Sequence, residues 1–276
     1  MSGKFASWLL TVALLSCAPV SGQVVFSRRI YQVRGSSYQQ IWVWNPADGS
    51  IVPLTRSARD HYQPRCSSAE ITFTSPSPDS ARPMKLWTFD RKSGMERMLG
   101  AVPEPAEAPA AKGCEHSARQ GPLEACANAE SLVITRDRKP AGKFEIATDT
   151  CPIDQQGTLG RCHTPIQSLA FTADGKWLLV GEEGLNDNST SRQQDYSVVN
   201  LTTMKLVKAG SGLGAFWLSK TNHVLYVTPR ELMPLGGGAH THSVWVQQLL
   251  TFDPFAGRTT QITSGLSNNV DPSPCR

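Results

Sequence analysis

The sequence has little surplus of charge. Its 27 Lys and Arg face 23 Asp and Glu, a formal net charge of +4. No Lys/Arg cluster forms a basic patch, which argues against a nucleic-acid partner. Charged residues make up only 18% of the chain and apolar ones an ordinary 39%, which excludes a disordered polyampholyte and a coiled coil. Beyond the first residues, no stretch approaches the ~18 uninterrupted apolar residues of a membrane-spanning helix. Helical spacing over three turns is almost missing. There is no C-x-x-C pair, no G-x-S-x-G elbow and no H-E-x-x-H. GSGLG (210–214) lacks the helix and Lys-Ser/Thr of a phosphate loop and reads as a connecting segment. No catalytic constellation, metal-ligand set or cofactor site follows from these patterns.

What is present begins with an address. Lys4 precedes an apolar stretch over 5–15, the length of a signal-peptide core. Two processing routes fit. Val20-Ser21-Gly22 before Gln23 suits ordinary cleavage, and Leu14-Leu15-Ser16-Cys17 is similar to a bacterial lipobox, making Cys17 a lipidation candidate. Residues 1–22 are therefore expected to be a signal peptide and 23–276 a single domain, periplasmic or held at the outer membrane by Cys17. Six cysteines remain in the exported part: Cys66, Cys114, Cys126, Cys151, Cys162 and Cys275. An even number in an exported chain reads as disulfides. Cys151 and Cys162, separated by a short Gly-containing loop, make the first candidate pair.

Short apolar runs broken by Gly, Pro, Asn and Asp fill the rest, an all-β pattern. Several runs align with one another. IWVWNPADGSIVPLT (41–55) matches KLWTFDRKSGMERMLG (85–100) and LLTFDPFAGRTTQIT (249–263), while YSVVNLTTMKLVKAG (196–210) and KFEIATD (143–149) match less fully. Each is a hairpin whose turn opens on Asn or Asp: Asn45, Asp90, Asp149, Asn200, Asp253. A preceding strand pair recurs as CSSAEITFTS (66–75), CANAESLVIT (126–135), SLAFTADGKWLLVG (168–181) and AFWLSKTNHVLYVT (215–228). Trp42, Trp87 and Trp245 fall at similar strand positions and read as a packing column.

A four-stranded unit recurring every ~40–50 residues is the mark of a β-propeller. Pro64 before the 66–75 unit, Thr172-Ala173-Asp174-Gly175 at a turn, and Leu54-Thr55 and Ile262-Thr263 at hairpin ends make the chain resemble the TolB-like (WD40-like, PD40) propeller repeats. The resemblance implies a five-bladed propeller, with six blades as the alternative. It also implies a non-catalytic scaffold that binds an envelope protein partner. The rival reading is a carbohydrate-active or metal-dependent enzyme, or a ligand binder, working from the loops.

VVFS (24–27) starts the mature chain at the second strand of a unit, and ITSGLSNNVDPSPC (262–275) aligns with LTRSARDHYQPRCS (54–67), Pro272 on Pro64. The tail thus reads as the missing first strand, which removes a free sheet edge. The long connections, 75–83, 100–121, 150–165, 182–195 and 229–242, all join strand ends on one side of such a disc. That side is the expected binding side. His61, His116, His163, His240 and His242 lie in these connections and are the candidate ligand- or partner-binding residues. Deleting residues 266–276 is expected to cause gross destabilisation or aggregation, measured by thermal unfolding; a truncated chain that melts with the parent contradicts the tail's role.

Overall fold

The computed structural model describes residues 22–67, 70–76, 84–103, 113–128, 131–145, 166–183, 193–237 and 241–275. Among the described residues every regular element is a strand, and no helix is long and apolar enough to cross a membrane. Sheet 1 contains β1 (Val24–Ile30), β2 (Gln39–Trp44) and β3 (Ile51–Pro53). Sheet 2 is β4 (Tyr62–Cys66), β5 (Glu70–Pro76), β6 (Met84–Asp90) and β7 (Glu96–Ala101). Sheet 3 is β8 (His116–Gln120), β9 (Leu123–Ala127), β10 (Ser131–Arg136) and β11 (Lys139–Glu145). Sheet 4 is β12 (Ile166–Phe171), β13 (Trp177–Glu183), β14 (Gln194–Asn200) and the first part of β15 (Lys205–Trp217). The end of β15 starts sheet 5, continued by β16 (Val224–Val227), β19 (Leu249–Asp253) and β20 (Arg258–Gln261). Between β16 and β19 an extra hairpin is inserted, β17 (Glu231–Leu235) and β18 (His242–Val246). Finally β21 (Ser267–Pro274) returns to pair with β1, so sheet 1 runs β21-β1-β2-β3.

These are antiparallel up-and-down sheets of blade type, and the repeated residues explain why they form. The Asn/Asp column is a set of Asx turns. Asn45 Oδ1 accepts from the Ala47 N–H, and Asp90 Oδ1 from Lys92 and Ser93. Asn200 Oδ1 accepts from Thr202 and Thr203, and Asp253 Oδ1 from Phe255 and Ala256. A side-chain oxygen that satisfies turn N–H groups favours reversal over continued strand. The Leu-Thr endings have a matching task. Thr55 Oγ1 accepts from the Ile41 N–H at 2.9 Å, and Thr263 Oγ1 from the Leu249 N–H at 2.9 Å. Each threonine in turn donates to a glutamine, Gln40 or Gln248. The same polar latch therefore closes two blades.

The core lies between sheets rather than within one. Val25, Ile41, Phe73 and Trp87 join sheets 1 and 2. Leu132, Ile134, Leu178 and Val180 join sheets 3 and 4. Trp177, Tyr196, Tyr226 and Phe252 join sheets 4 and 5, and Phe26, Trp44, Leu225 and Leu249 join sheets 5 and 1. Among the described residues no such cluster joins sheet 2 to sheet 3. The sheets thus form a packed series, 3-4-5-1-2.

Two expectations are corrected. The unit at Cys126–Thr135 is the second and third strand of sheet 3, not its first and second; the first is β8. Its last hairpin turns at Asp137 and Arg138, both at positive φ (52° and 62°), while Asp149 lies outside the described residues. The polar sequence HSARQ of β8 has no apolar run, and one antiparallel hairpin looks like the next, so the repeat slips by a strand. GSGLG, read from sequence as a connecting segment, does connect two sheets: it is the middle of β15, which bends from sheet 4 into sheet 5. At Gly212 an added Cβ would sit 2.0 Å from the Val227 carbonyl oxygen, so only glycine allows that approach. Trp245 is on the inserted hairpin and 47% exposed, outside any packing column.

The tail pairs as its sequence suggested. A bulge interrupts the β4–β5 register between Tyr62 and Arg65, and another the β1–β21 register between Val25 and Ser27. Gln63 and Asp271 sit at those bulges with φ of 50° and 53°, each just before a proline, Pro64 or Pro272. The Gln63 N–H donates to Asp271 Oδ2 at 3.1 Å. Cys66 and Cys275 form a disulfide across 209 residues, and Cys114 pairs with Cys126. Cys17, Cys151 and Cys162 lie outside the described residues. Closing so long a loop constrains the unfolded chain strongly. Cys66→Ser or Cys275→Ser is expected to lower stability by about 2–5 kcal/mol, read as a shift in the urea midpoint; unchanged midpoints contradict a stapling role.

Candidate functional site

The inserted hairpin begins where β16 ends. Thr228 holds its base: the Thr228 N–H donates to the Gln248 carbonyl, and Thr228 Oγ1 accepts from the Gln248 N–H. Gln247 is 1% exposed and its amide donates to the Thr228 carbonyl at 3.1 Å. Fully buried Asn269 on β21 donates to the Gln247 carbonyl at 2.6 Å, and a parallel bridge pairs Gln247 with Asn268. Buried amide N–H groups that find carbonyl partners in this way fix geometry. The hairpin is therefore anchored to the tail strand.

Its two faces differ. Cross-strand pairs Met233↔Val244 and Glu231↔Val246 define one face, with Val246 buried and Met233 and Val244 half-buried. Met233 and Val246 cover a cleft of about 670 Å³ also lined by Arg230, Leu250, Gln261 and Leu266. Pairs Leu232↔Trp245 and Pro234↔Ser243 define the other face. Leu232 is 53% exposed and Trp245 47%. A large indole and a leucine held outward on a clamped hairpin are the kind of anchor that dominates protein interfaces. The Arg230 guanidinium lies 5.8 Å from the Trp245 ring centre. Tyr31, in the neighbouring β1–β2 loop, donates its hydroxyl to the Trp245 carbonyl at 2.9 Å. Burial raises the Tyr31 pKa, opposed by the nearby charges of Arg29 and Arg230. The end of β1 exposes Ile30 and the loop exposes Val33.

A second constellation looks chemical and is not. Ser57 Oγ lies 2.7 Å from His61 Nε2 and 3.1 Å from Glu96 Oε2. In a nucleophilic triad the carboxylate orients the imidazole through Nδ1. Here Glu96 meets the hydroxyl and the same Nε2, at 3.9 Å, while Nδ1 is buried without a partner. His61 is 0% exposed and packs edge-on against Phe73 at 4.6 Å. Arg59 spans the network, 3.8 Å from Glu96 and stacked 4.2 Å from the Trp87 ring centre. The imidazole is shut off from solvent and packs between sheets 1 and 2.

Of the other candidate histidines, His116 is half-buried at the start of β8 and His242 is exposed at the start of β18. His163 and His240 lie outside the described residues. Among the described residues no three His, Cys, Asp or Glu side chains come together as a metal site. Trp245, Leu232, Arg230 and Tyr31 were not singled out as binding residues by sequence. The alternation in ELMPL and HSVWV was the available signal, and it does not by itself say which face is covered.

The chain matches no protein-family model and no curated protein. Solved structures similar to it include TolB from Acinetobacter baumannii, 11% identical, with 94% of this chain and 68% of that chain covered and a TM-score of 0.47. A putative TolB from Agrobacterium tumefaciens is 11% identical, covering 91% and 93%, with a TM-score of 0.37. The β-propeller domain of the Trilobed protease from Pyrococcus furiosus is 9% identical, covering 75% and 58%, with a TM-score of 0.31. The propeller architecture rests here on the sheet order and the cores between sheets.

Burial, and then the charge of Arg59, lower the His61 pKa from 6.5 to about 4, partly opposed by Asp60. The unfolded chain then binds the proton first. Stability is full above pH 6.5 and falls as pH drops toward about 4, by on the order of 3 kcal/mol. Urea midpoints across that window, with the His61 ring titrated by NMR in the folded protein, measure it. A ring that titrates near its ordinary value contradicts the assignment.

Proposed function

We propose that this chain is an exported, non-catalytic scaffold that docks an envelope protein partner on the outer face of the inserted hairpin. We take the five sheets as the blades of one disc, with the long connections and the hairpin on its working side. The observation that carries the reading is the outward pair Leu232 and Trp245, half-exposed on a hairpin whose base is clamped by buried Gln247 and Asn269. Rigid apolar side chains lose little conformational entropy on binding, and a partner would exclude water from them.

Two pairs of joined cysteines support an oxidising compartment, since such bonds persist outside the cytosol. The apolar stretch over 5–15 supports export, with the membrane reached only through Cys17 if that residue is lipidated. No cofactor and no nucleic acid enters the reading. Ser57, His61 and Glu96, which resemble a hydrolytic set in composition, lack the geometry and the access for the enzymatic alternative.

A photo-reactive amino acid placed at Leu232, and a control at exposed Val52 on β3, test the proposal in intact cells. A discrete protein crosslink is expected from position 232, lost when Trp245→Ser is added, and none from position 52. Equal crosslinking at the two positions, or a crosslink indifferent to Trp245→Ser, overturns it.

A further inference from the structure

We infer that the hairpin site recognises an acidic peptide segment carrying a bulky apolar side chain, and grips it by side chains rather than by adding it as a strand. This rests on the reading of the hairpin as a docking face and adds the chemistry and mode of what docks.

The mode follows from the two edges of the hairpin. The Tyr31 hydroxyl takes the Trp245 carbonyl, so that carbonyl points away from β17. In an antiparallel pair, outward-pointing backbone groups belong to every second residue. The pairs Leu232↔Trp245 and Pro234↔Ser243 are then the ones whose backbone groups face outward. On β18 that edge already receives Tyr31. On β17 it includes Pro234, which has no N–H to offer. A strand added to either edge would meet an occupied carbonyl or a missing donor. Pro at an outward edge position is a known defence against such pairing. What remains accessible is the side-chain face bearing Leu232 and Trp245, with Ser243 beside them.

The chemistry follows from charge. The Arg230 guanidinium lies over the Trp245 ring, and Arg29 and Arg230 both act on the Tyr31 hydroxyl. Arg29 is shared with Asp60 at 2.7 Å. Exposed Arg34 lies in the same β1–β2 loop. Glu231 sits on the opposite face of the hairpin from Trp245, by its pairing with Val246. The face that carries the apolar anchors is therefore cationic where Arg230 flanks Trp245. A segment with an Asp or Glu next to a Leu, Phe or Trp places a carboxylate at Arg230 and an apolar side chain against Leu232 and Trp245. Arginine binds carboxylates through a planar fork and holds aromatic faces at the same time.

Random short peptides displayed on phage and selected against the full chain test this, followed by fluorescence polarisation with the enriched peptides. Enrichment of Asp or Glu beside a bulky apolar residue is expected. Affinity is expected to fall about thirtyfold in Trp245→Ala and roughly tenfold in Arg230→Gln, the latter with a shallower salt dependence. Methylating alternate peptide amides is expected to change affinity by no more than about twofold, because no ladder forms. Both variants alter exposed side chains, and thermal unfolding identical to the parent confirms that they fold. Basic or uncharged selected peptides, affinity indifferent to Trp245→Ala, or loss of binding on methylation each overturn the inference. So does binding of phosphatidylglycerol vesicles that depends on Arg230 with no peptide enriched. Acidic peptides that bind here without any crosslink at position 232 in cells would sink the scaffold role and leave this recognition standing. A crosslinked partner without an acidic segment would do the reverse.

Discussion

The pairing of β21 with β1 is the constraint on which most of this molecule depends. It gives sheet 1 its fourth strand and satisfies backbone groups of β1 that a free edge would leave open. It brings Cys275 to Cys66, so the last described residue is bonded to sheet 2. It also places Ser267, Asn269 and Ser273, all buried, where only a polar partner can meet them. Asn269 meets the Gln247 carbonyl, the Gln248 side chain and Ser267. The Asn269 Nδ2 group finds these acceptors only with the tail in this position, although its buried Oδ1 has no partner.

The same strand links stability to the proposed docking face. The inserted hairpin interrupts sheet 5 between two neighbouring strands, and an insertion there could swing freely about its two connections. Here Thr228, Gln247 and Gln248 close its base and β21 closes over them, which opposes such swinging. The Thr263–Gln248 latch that ends the last hairpin is part of the same cluster. A repeated structural device, present also as Thr55–Gln40, has here acquired a second use as a mount for the exposed face. The result is a surface whose apolar side chains are mounted on a hydrogen-bonded base.

Much of the fold was legible because its local physics is written in single residues. The Asx turns at Asn45, Asp90, Asn200 and Asp253 appear in the chain as Asn or Asp after an apolar run. The tail's identity was legible through Pro272 and Pro64, which follow matching bulges. Sheet 3 was misread because β8 is polar and its hairpins are not distinguishable by period alone. The site was harder still. The histidines drew attention by their chemistry, yet His61 is packed against Phe73 and serves the core. Trp245 looked like a core residue because tryptophan in an alternating strand usually is one.

By itself the amino-acid order determined the strand-and-turn grammar, the repeated four-strand unit, and the strand that the tail contributes, since each depends on neighbours within a few residues or on copies of one pattern. Which pairs of cysteines meet, which face of the inserted hairpin is covered, and which imidazole is shut away were decided only when distant strands packed. Those outcomes turn on contacts such as Cys66 with Cys275 and Tyr31 with Trp245, separated by 209 and 214 residues. A pattern of period two says that a strand has two sides; only the rest of the molecule decides which one meets water.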